Sequence, residues 1–199
     1  MASVAQGRHT RQEILQVAMD LASTSGLDGL TIGGLAERLG LSKGGLFRHF
    51  GSKDQLQVAT INAAAARFGE VVIAPAQPAP PGLARLRALM SGYLDYMERR
   101  VFPGGCFFAA ASAELDGRPG PARDRLVEIL SGWRGMLTEQ AGIAARTGEL
   151  PGADPQRLVF RLLAYALEAN WAAQLFGDTR AYDHARAAIA EALTPSSHP

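Results

Sequence analysis

Residues Thr31 to Phe50 read TIGGLAERLGLSKGGLFRHF. Two short stretches of helical periodicity are split here by Gly40-Leu41. That is how two short helices joined by a tight glycine-containing turn are written, a helix-turn-helix arrangement. Thr31 is placed to cap a helix running to about Leu39, and Ser42 to cap a second from Lys43 to His49. Leu35 and Leu39 are expected to face inward from the first helix, Leu41 to fill the corner, and Leu46 to face inward from the second. Together they would set the angle between the helices. The opposite face of the second helix is then free to enter a DNA major groove.

That face carries Ser42, Lys43, Gly44, Gly45, Phe47 and Arg48. Lys43 and Arg48 can donate to guanine edges or to phosphate oxygens. Thr31, Ser42, His49 and Lys53 stand at helix ends, where side-chain donors and free backbone N–H groups suit phosphate. Gly44 and Gly45 are poor helix formers. Side by side in so short a helix they read either as close approach of backbone to DNA or as a sharp turn.

Outward from this run the chain stays helical. Ile14, Val17, Ala18, Leu21 and Ala22 form one apolar face of a helix that should stop near Gly26. Ser52 with Gln55 opens a longer helix bearing Leu56, Ile61, Ala65, Phe68 and Val72. Ala74 to Gly82, APAQPAPPG, is proline-rich and predicted to be an extended connector. Further helices are expected near Leu83–Arg100, Gly105–Leu115, Pro121–Thr147, Asp154–Phe176 and Thr179–Leu193, with a frayed tail from Pro195 to Pro199. No period-2 strand and no internal repeat is seen. The expectation is an all-α fold of about nine helices: a three-helix module at residues 1–52 and a helical domain at 53–199.

Composition narrows the function classes. Among the 199 residues, 20 are Lys or Arg and 19 Asp or Glu, a net charge of +1. This excludes a globally basic polymer binder but allows a local basic surface. Residues 1–58 hold six basic residues (Arg8, Arg11, Arg38, Lys43, Arg48, Lys53) against five acids. Lys43, Arg48 and Lys53 cluster; Arg8 and Arg11 would precede the first helix, either as an arm reaching DNA or simply in solvent. The single cysteine, Cys106, excludes a disulfide framework and a Cys-based zinc site. Between an oxidisable and a buried inert thiol, its neighbours Phe107 and Phe108 favour the second. His9, His49, His184 and His198 are isolated, and no hydrolase, Walker or dinucleotide motif occurs. No enzyme chemistry and no cofactor are therefore expected. No uncharged apolar run reaches the roughly 18 residues of a membrane span, so the expectation is a soluble, cytoplasmic protein without a membrane partner.

The segment from Arg11 to Leu56 resembles the DNA-binding domain of the tetracycline-repressor (TetR) family. The likeness rests on TRQEIL at Thr10–Leu15, AMDLASTSGLDGLTI at Ala18–Ile32, LAERLGLSKGGLFRHF at Leu35–Phe50 and GSKDQL at Gly51–Leu56. Gly104 to Leu126 is also similar to a run in a subset of that family. The resemblance implies a dimeric, usually repressing transcription regulator with a helical C-terminal domain for a small effector and the dimer interface. It implies DNA contacts at Thr31, Lys43, Phe47, His49 and Lys53. Where the family often has Tyr, this chain has Phe47, which cannot donate a hydroxyl to phosphate, so a contact there is apolar. The alternative is a helical small-molecule-binding or catalytic protein that kept the fold without DNA function.

For the C-terminal part, Tyr93, Met97, Phe107, Phe108, Trp133, Met136, Tyr165 and Trp171 suit either a core or a pocket between helices, with Glu168, Asn170 and Gln174 as polar members. Glu168 is exposed, paired with Arg161 or Arg134, or in a cavity. The helix Leu158–Phe176 is apolar nearly all round. Leu158, Leu162, Ala166, Ala169 and Ala173, with Tyr182, Ala185 and Ile189 of the last helix, are predicted to meet their symmetry mates in a homodimer. The other reading is a monomer that buries both helices within itself.

Overall fold

The structure, a computed structural model, describes the backbone of residues 2–195 and the side chains from residue 11 to 195. The side chains of Arg8 and His9 and the tail 196–199, including His198, lie outside the described residues. All regular elements within them are helical, as the periodicity predicts: α1 (Ala2–Ser25), α2 (Ile32–Leu39), α3 (Lys43–Phe50), α4 (Lys53–Phe68), α5 (Leu83–Glu98), α6 (Phe107–Leu115), α7 (Pro121–Arg146), α8 (Pro155–Phe176) and α9 (Ala181–Ala192). None is long and apolar enough to cross a membrane.

Local chemistry explains the boundaries. Thr31 Oγ1 accepts from the Gly34 N–H at 3.0 Å and Ser42 Oγ from the Gly45 N–H at 3.1 Å, so both hydroxyls cap as expected. Between them Gly40 takes a left-handed φ of 64°, which lets the Leu41 N–H reach back to the Ala36 carbonyl at 2.9 Å. The backbone thus closes the corner. Leu41 does not fill it: its side chain is 38% exposed. The packing there comes from one buried cluster, Ile14, Ala18, Leu30, Leu35, Ala36, Leu46, Phe50 and Leu56, with Leu39 only partly buried.

Two further expectations change. The first helix starts at Ala2, so Arg11 lies inside it rather than ahead of it. The proline-rich connector is shorter than predicted: α4 continues through a π turn (Gly69–Ile73) and a last α turn (Ala74–Ala76). In the π turn the Ala74 N–H reaches Gly69 O, one residue farther back than in an α-helix. Pro75, which has no N–H to place, sits at the start of the next turn, where a proline does least harm.

The chain divides into two compact units. One joins the helix-turn-helix to residues 102–128. Inside it, Glu114 of α6 accepts from the backbone N–H groups of Leu27 at 2.7 Å and Asp28 at 2.5 Å. The Gly104 N–H donates to Ser23 Oγ at 3.2 Å, and a Cβ on Gly104 would stand 1.7 Å from the Ser23 carbonyl oxygen. The other unit holds, among the described residues, 68–101 and 129–195. There α8 packs on α9, and Arg186 of α9 donates to Asp95 at 2.9 Å and to Glu98, both on α5.

The faces expected to meet a symmetry mate are used inside this second unit. Leu158, Leu162, Ala166, Ala169 and Ala173 are buried, as are Tyr182, Ala185 and Ile189, and Leu162 has no exposure at all. The apolar surface α8 leaves open is a different stripe, Phe160, Leu167, Trp171 and Leu175, joined at the helix end by Phe176 beside Trp171, each 42 to 65% exposed. Residues two apart on a helix point about 200° apart, so Phe160 and Leu162 serve opposite sides.

Because Leu46 is fully buried under the corner, Leu46→Ala should cost about 2–5 kcal/mol. Urea unfolding followed by circular dichroism measures it; an unchanged midpoint would show that the cluster does not hold α3.

Candidate nucleic-acid interface

The free side of α3 is built as the spacing predicts. Leu46 and Phe50 point into the cluster, while Ser42, Lys43, Gly44 and Arg48 are exposed and Phe47 is 55% exposed. Gly45 and His49 are half-buried at the edges. Neither Lys43 nor Arg48 has an ion pair among the described residues. The Lys43 stem lies over Gly33 of α2, where an added Cβ would come within 3.3 Å of Cε. Gly33 therefore gives Lys43 its path along α2. The Thr31 and Ser42 hydroxyls accept from their cap N–H groups, which leaves each O–H proton able to donate outward.

Two contacts that position this face were not legible in the motif. The Arg11 guanidinium donates to the His49 carbonyl at 2.8 Å and lies 4.5 Å from the Phe50 ring centroid. It satisfies an orphan carbonyl at the end of α3 and places a cation there, where the helix dipole favours one. Arg11 thus ties α1 to α3 and is not an arm. Lys53, expected at phosphate, is held within the protein: Nζ donates to the Asp28 carbonyl at 2.8 Å and to its carboxylate at 2.7 Å. Arg118 reaches the other Asp28 oxygen at 3.1 Å. The hydrogen bond from Lys53, then its charge, and the same from Arg118 hold the Asp28 carboxyl below its ordinary pKa. With two Nζ protons engaged, one remains to meet an anion.

The two glycines of α3 differ. A Cβ on Gly45 would stand 3.1 Å from the capping Ser42 oxygen; on Gly44 it would meet nothing within 4 Å. No packing among the described residues requires glycine at 44, on the exposed side of the helix. That favours close approach from outside over a sharp turn.

The residues expected around an effector separate. Phe107 and Phe108, with rings 5.5 Å apart, belong to the first unit. Tyr93 and Met97 of α5, Trp133 and Met136 of α7, and Tyr165, Glu168, Asn170 and Trp171 of α8 belong to the second. Of these the structure joins Tyr93 and Trp133, whose rings are 5.7 Å apart. Asn170 and Met97 are buried; Met136 and Tyr165 are half-buried. Glu168 is exposed, and Trp171 lies on the open stripe with its ring 4.9 Å from Phe176. Tyr96 and Phe68 complete the aromatic group around Trp133 and were not singled out as site residues. The Cys106 thiol is buried.

Residues 14–60 match the model of bacterial regulatory proteins of the tetR family, and residues 82–189 that of the tetracyclin repressor-like C-terminal domain. The transcriptional repressor AcnR of Corynebacterium glutamicum is 42% identical over 73 residues, 35% of this chain. The chain spans 39% of that protein's length. A TetR transcriptional regulator from Chloroflexus aurantiacus superposes with a TM-score of 0.85 at 26% identity, over 94% of this chain and 95% of that one. AibR, solved in complex with isovaleryl coenzyme A and operator DNA, shares the fold with a TM-score of 0.76 at 24% identity, over 93% and 98%.

If the open side of Gly44 is reserved for DNA, Gly44→Ala should stabilise the folded protein by about 0.5–1 kcal/mol while weakening DNA binding. Thermal melts and gel-shift titrations read the two effects separately, and a variant that binds DNA as well as the parent would remove the close-approach reading. For Asp28, a lowered carboxyl pKa stabilises the fold above the ordinary carboxylate value and ceases to do so as pH falls through the folded one. The stability lost in Asp28→Asn should therefore be present in full at neutral pH and decline as pH falls below about 4. Urea titrations across that range test it.

Proposed function

Because the chain belongs to the TetR family of bacterial regulatory proteins, we propose that it is a cytoplasmic DNA-binding transcription regulator, not an enzyme. In this reading it is a repressor that binds a palindromic operator as a homodimer and is released by a small, largely apolar effector. The observation that carries it is the exposed side of α3: Phe47, Lys43 and Arg48 projecting beside an open Gly44 from a helix whose other side is buried. Lys43 and Arg48 would read guanine edges or phosphate, Phe47 a sugar or thymine methyl, and Thr31, Ser42, His49 and the remaining proton of Lys53 the backbone.

A palindromic operator needs two reading heads about 34–36 Å apart. The second copy would meet the open stripe of α8, Phe160, Leu167, Trp171, Leu175 and Phe176. Exposed apolar side chains at spacings of seven, four and four on one side of a long helix support this. An effector favouring a conformer with wrongly spaced heads by about 100-fold supplies roughly 2.7 kcal/mol per site. That suffices to release an operator held by a modest margin.

The DNA reading is tested by gel shift with duplex from beside the protein's own gene. With about eight phosphate contacts per dimer, affinity should fall on the order of ten-thousandfold between 50 and 200 mM salt. A flat response would count against it. Trp171→Glu should yield a monomer in sedimentation velocity while leaving the helical spectrum intact. Leu162→Glu, at a buried site, reads folding instead. A Trp171→Glu protein that still sediments as a dimer would move the interface elsewhere.

A further inference from the structure

Phe68 is the last residue of α4, and its ring is surrounded. Its centroid lies 5.8 Å from Tyr93, 5.3 Å from Tyr96 and 5.1 Å from Trp133, each nearly perpendicular to it. Tyr93 and Tyr96 stack at 6.2 Å with 18° between their planes. All four rings are at least nine-tenths buried. Three aromatic walls thus enclose one phenyl ring, supplied by the chain itself. The indole Nε1–H of Trp133, one of these rings, is buried and finds no hydrogen-bond acceptor among the described residues. A buried donor left unmet is unfavourable, so the cage as it stands is incomplete.

We propose that Phe68 is a plug in an effector site, and that the molecule replacing it is neutral, carries one ring or an apolar group of that size, and presents an acceptor oxygen to Trp133 Nε1. This rests on the effector-responsive reading above and names the ligand class. The size follows from what Phe68 fills. Neutrality follows from the surroundings: besides tyrosine hydroxyls, the buried polar side chains of this unit, among the described residues, are Gln140 and Asn170, and none of these groups is charged at neutral pH. A carboxylate or ammonium would enter without a counter-charge. A cation would suit three aromatic faces, but it would meet the positive end of the Trp133 N–H rather than satisfy it. The route out is built next to the plug. Phe68 is followed directly by Gly69 and the π turn to Ile73, a helix segment with one residue more per turn than its neighbours. Passing that extra residue along the helix turns the Phe68 position by about 100°. A Cβ on Gly69 would meet nothing within 4 Å, so packing does not require glycine at the pivot.

The test uses the 199-residue chain labelled with 15N-tryptophan. Its indole signals come from Trp133 and Trp171 and are assigned with Trp133→Phe. Four probes share one ring: acetophenone (neutral, with an acceptor), ethylbenzene (neutral, without), benzoate and benzyltrimethylammonium. Acetophenone should shift the Trp133 Nε1–H signal and bind about tenfold more tightly than ethylbenzene. That preference should vanish in Trp133→Phe, and neither ion should bind. Phe68→Ala, or Phe68→Leu if the alanine variant does not fold, should bind acetophenone more tightly than the parent because no plug must leave. Tightest binding by either ion, equal shifts with ethylbenzene, or no shift of Trp133 in parent or Phe68 variants would overturn the proposal. The readout is independent of DNA. A ligand that shifts Trp133 in a protein that fails to retard DNA leaves the plug standing and ends the repressor reading.

Discussion

Helix α3 is eight residues long, and a free peptide of that length does not stay helical in water. With two adjacent glycines near its start it is weaker still. It exists because Leu46 and Phe50 are buried against Ile14, Ala18, Leu35 and Leu56, and because Ser42 and Arg11 satisfy groups at its two ends. One side of the helix therefore supplies all of its stability and the other is exempt from packing. That division lets Phe47 stand exposed and lets position 44 lack a side chain. An exposed surface with such residues would not hold its shape on a helix stabilised by its own propensity.

The charges around this core have a graded arrangement. Lys43 and Arg48 lack ion pairs among the described residues, while Lys53 is divided between Asp28 and the outside. Asp28 is in turn shared with Arg118, and the Asp28 N–H is bound by Glu114. The loop that precedes α2 is thus fastened from α4 on one side and from residues 114–118 on the other. Exposed pairs of this kind contribute little energy; their effect is on where Lys53 points.

Much of the fold was legible because its signals are local. Thr31, Gly40, Ser42 and Gly51 announce their helix boundaries through cap chemistry that depends on a few neighbours. The Leu46 and Phe47 sides follow from helical spacing alone. Long-range choices were not legible. Arg11 looks like an N-terminal arm residue until α1 is seen to begin at Ala2. The proline-rich run looks extended because a π turn, which makes room for Pro75, leaves no mark in periodicity. On α8 two apolar stripes coexist, Leu158-Leu162-Ala166-Ala169-Ala173 and Phe160-Leu167-Trp171-Leu175. Alanines suggested a close helix partner, and that partner is α9 of the same chain. The bulkier stripe, at spacings of seven, four and four, was present in the sequence as the sign of a second surface. Phe68 could not be distinguished from an ordinary core residue without the three rings around it.

The contact between Gly104 and the Ser23 carbonyl bears on how genetic data for this protein would read. A Cβ at position 104 would overlap backbone, which cannot swing aside as a side chain can. Every missense change there, from alanine upward, would pry the end of α1 off its support. In a random library scored for loss of the proposed DNA-binding activity, codon 104 would then stand out as sharply as codons 43 to 48 without lying on the exposed side of α3. A map of such hits would carry a scaffold footprint alongside the recognition footprint. Intolerance of alanine itself would mark the difference, since alanine is mild at an exposed contact and not at a site with no room.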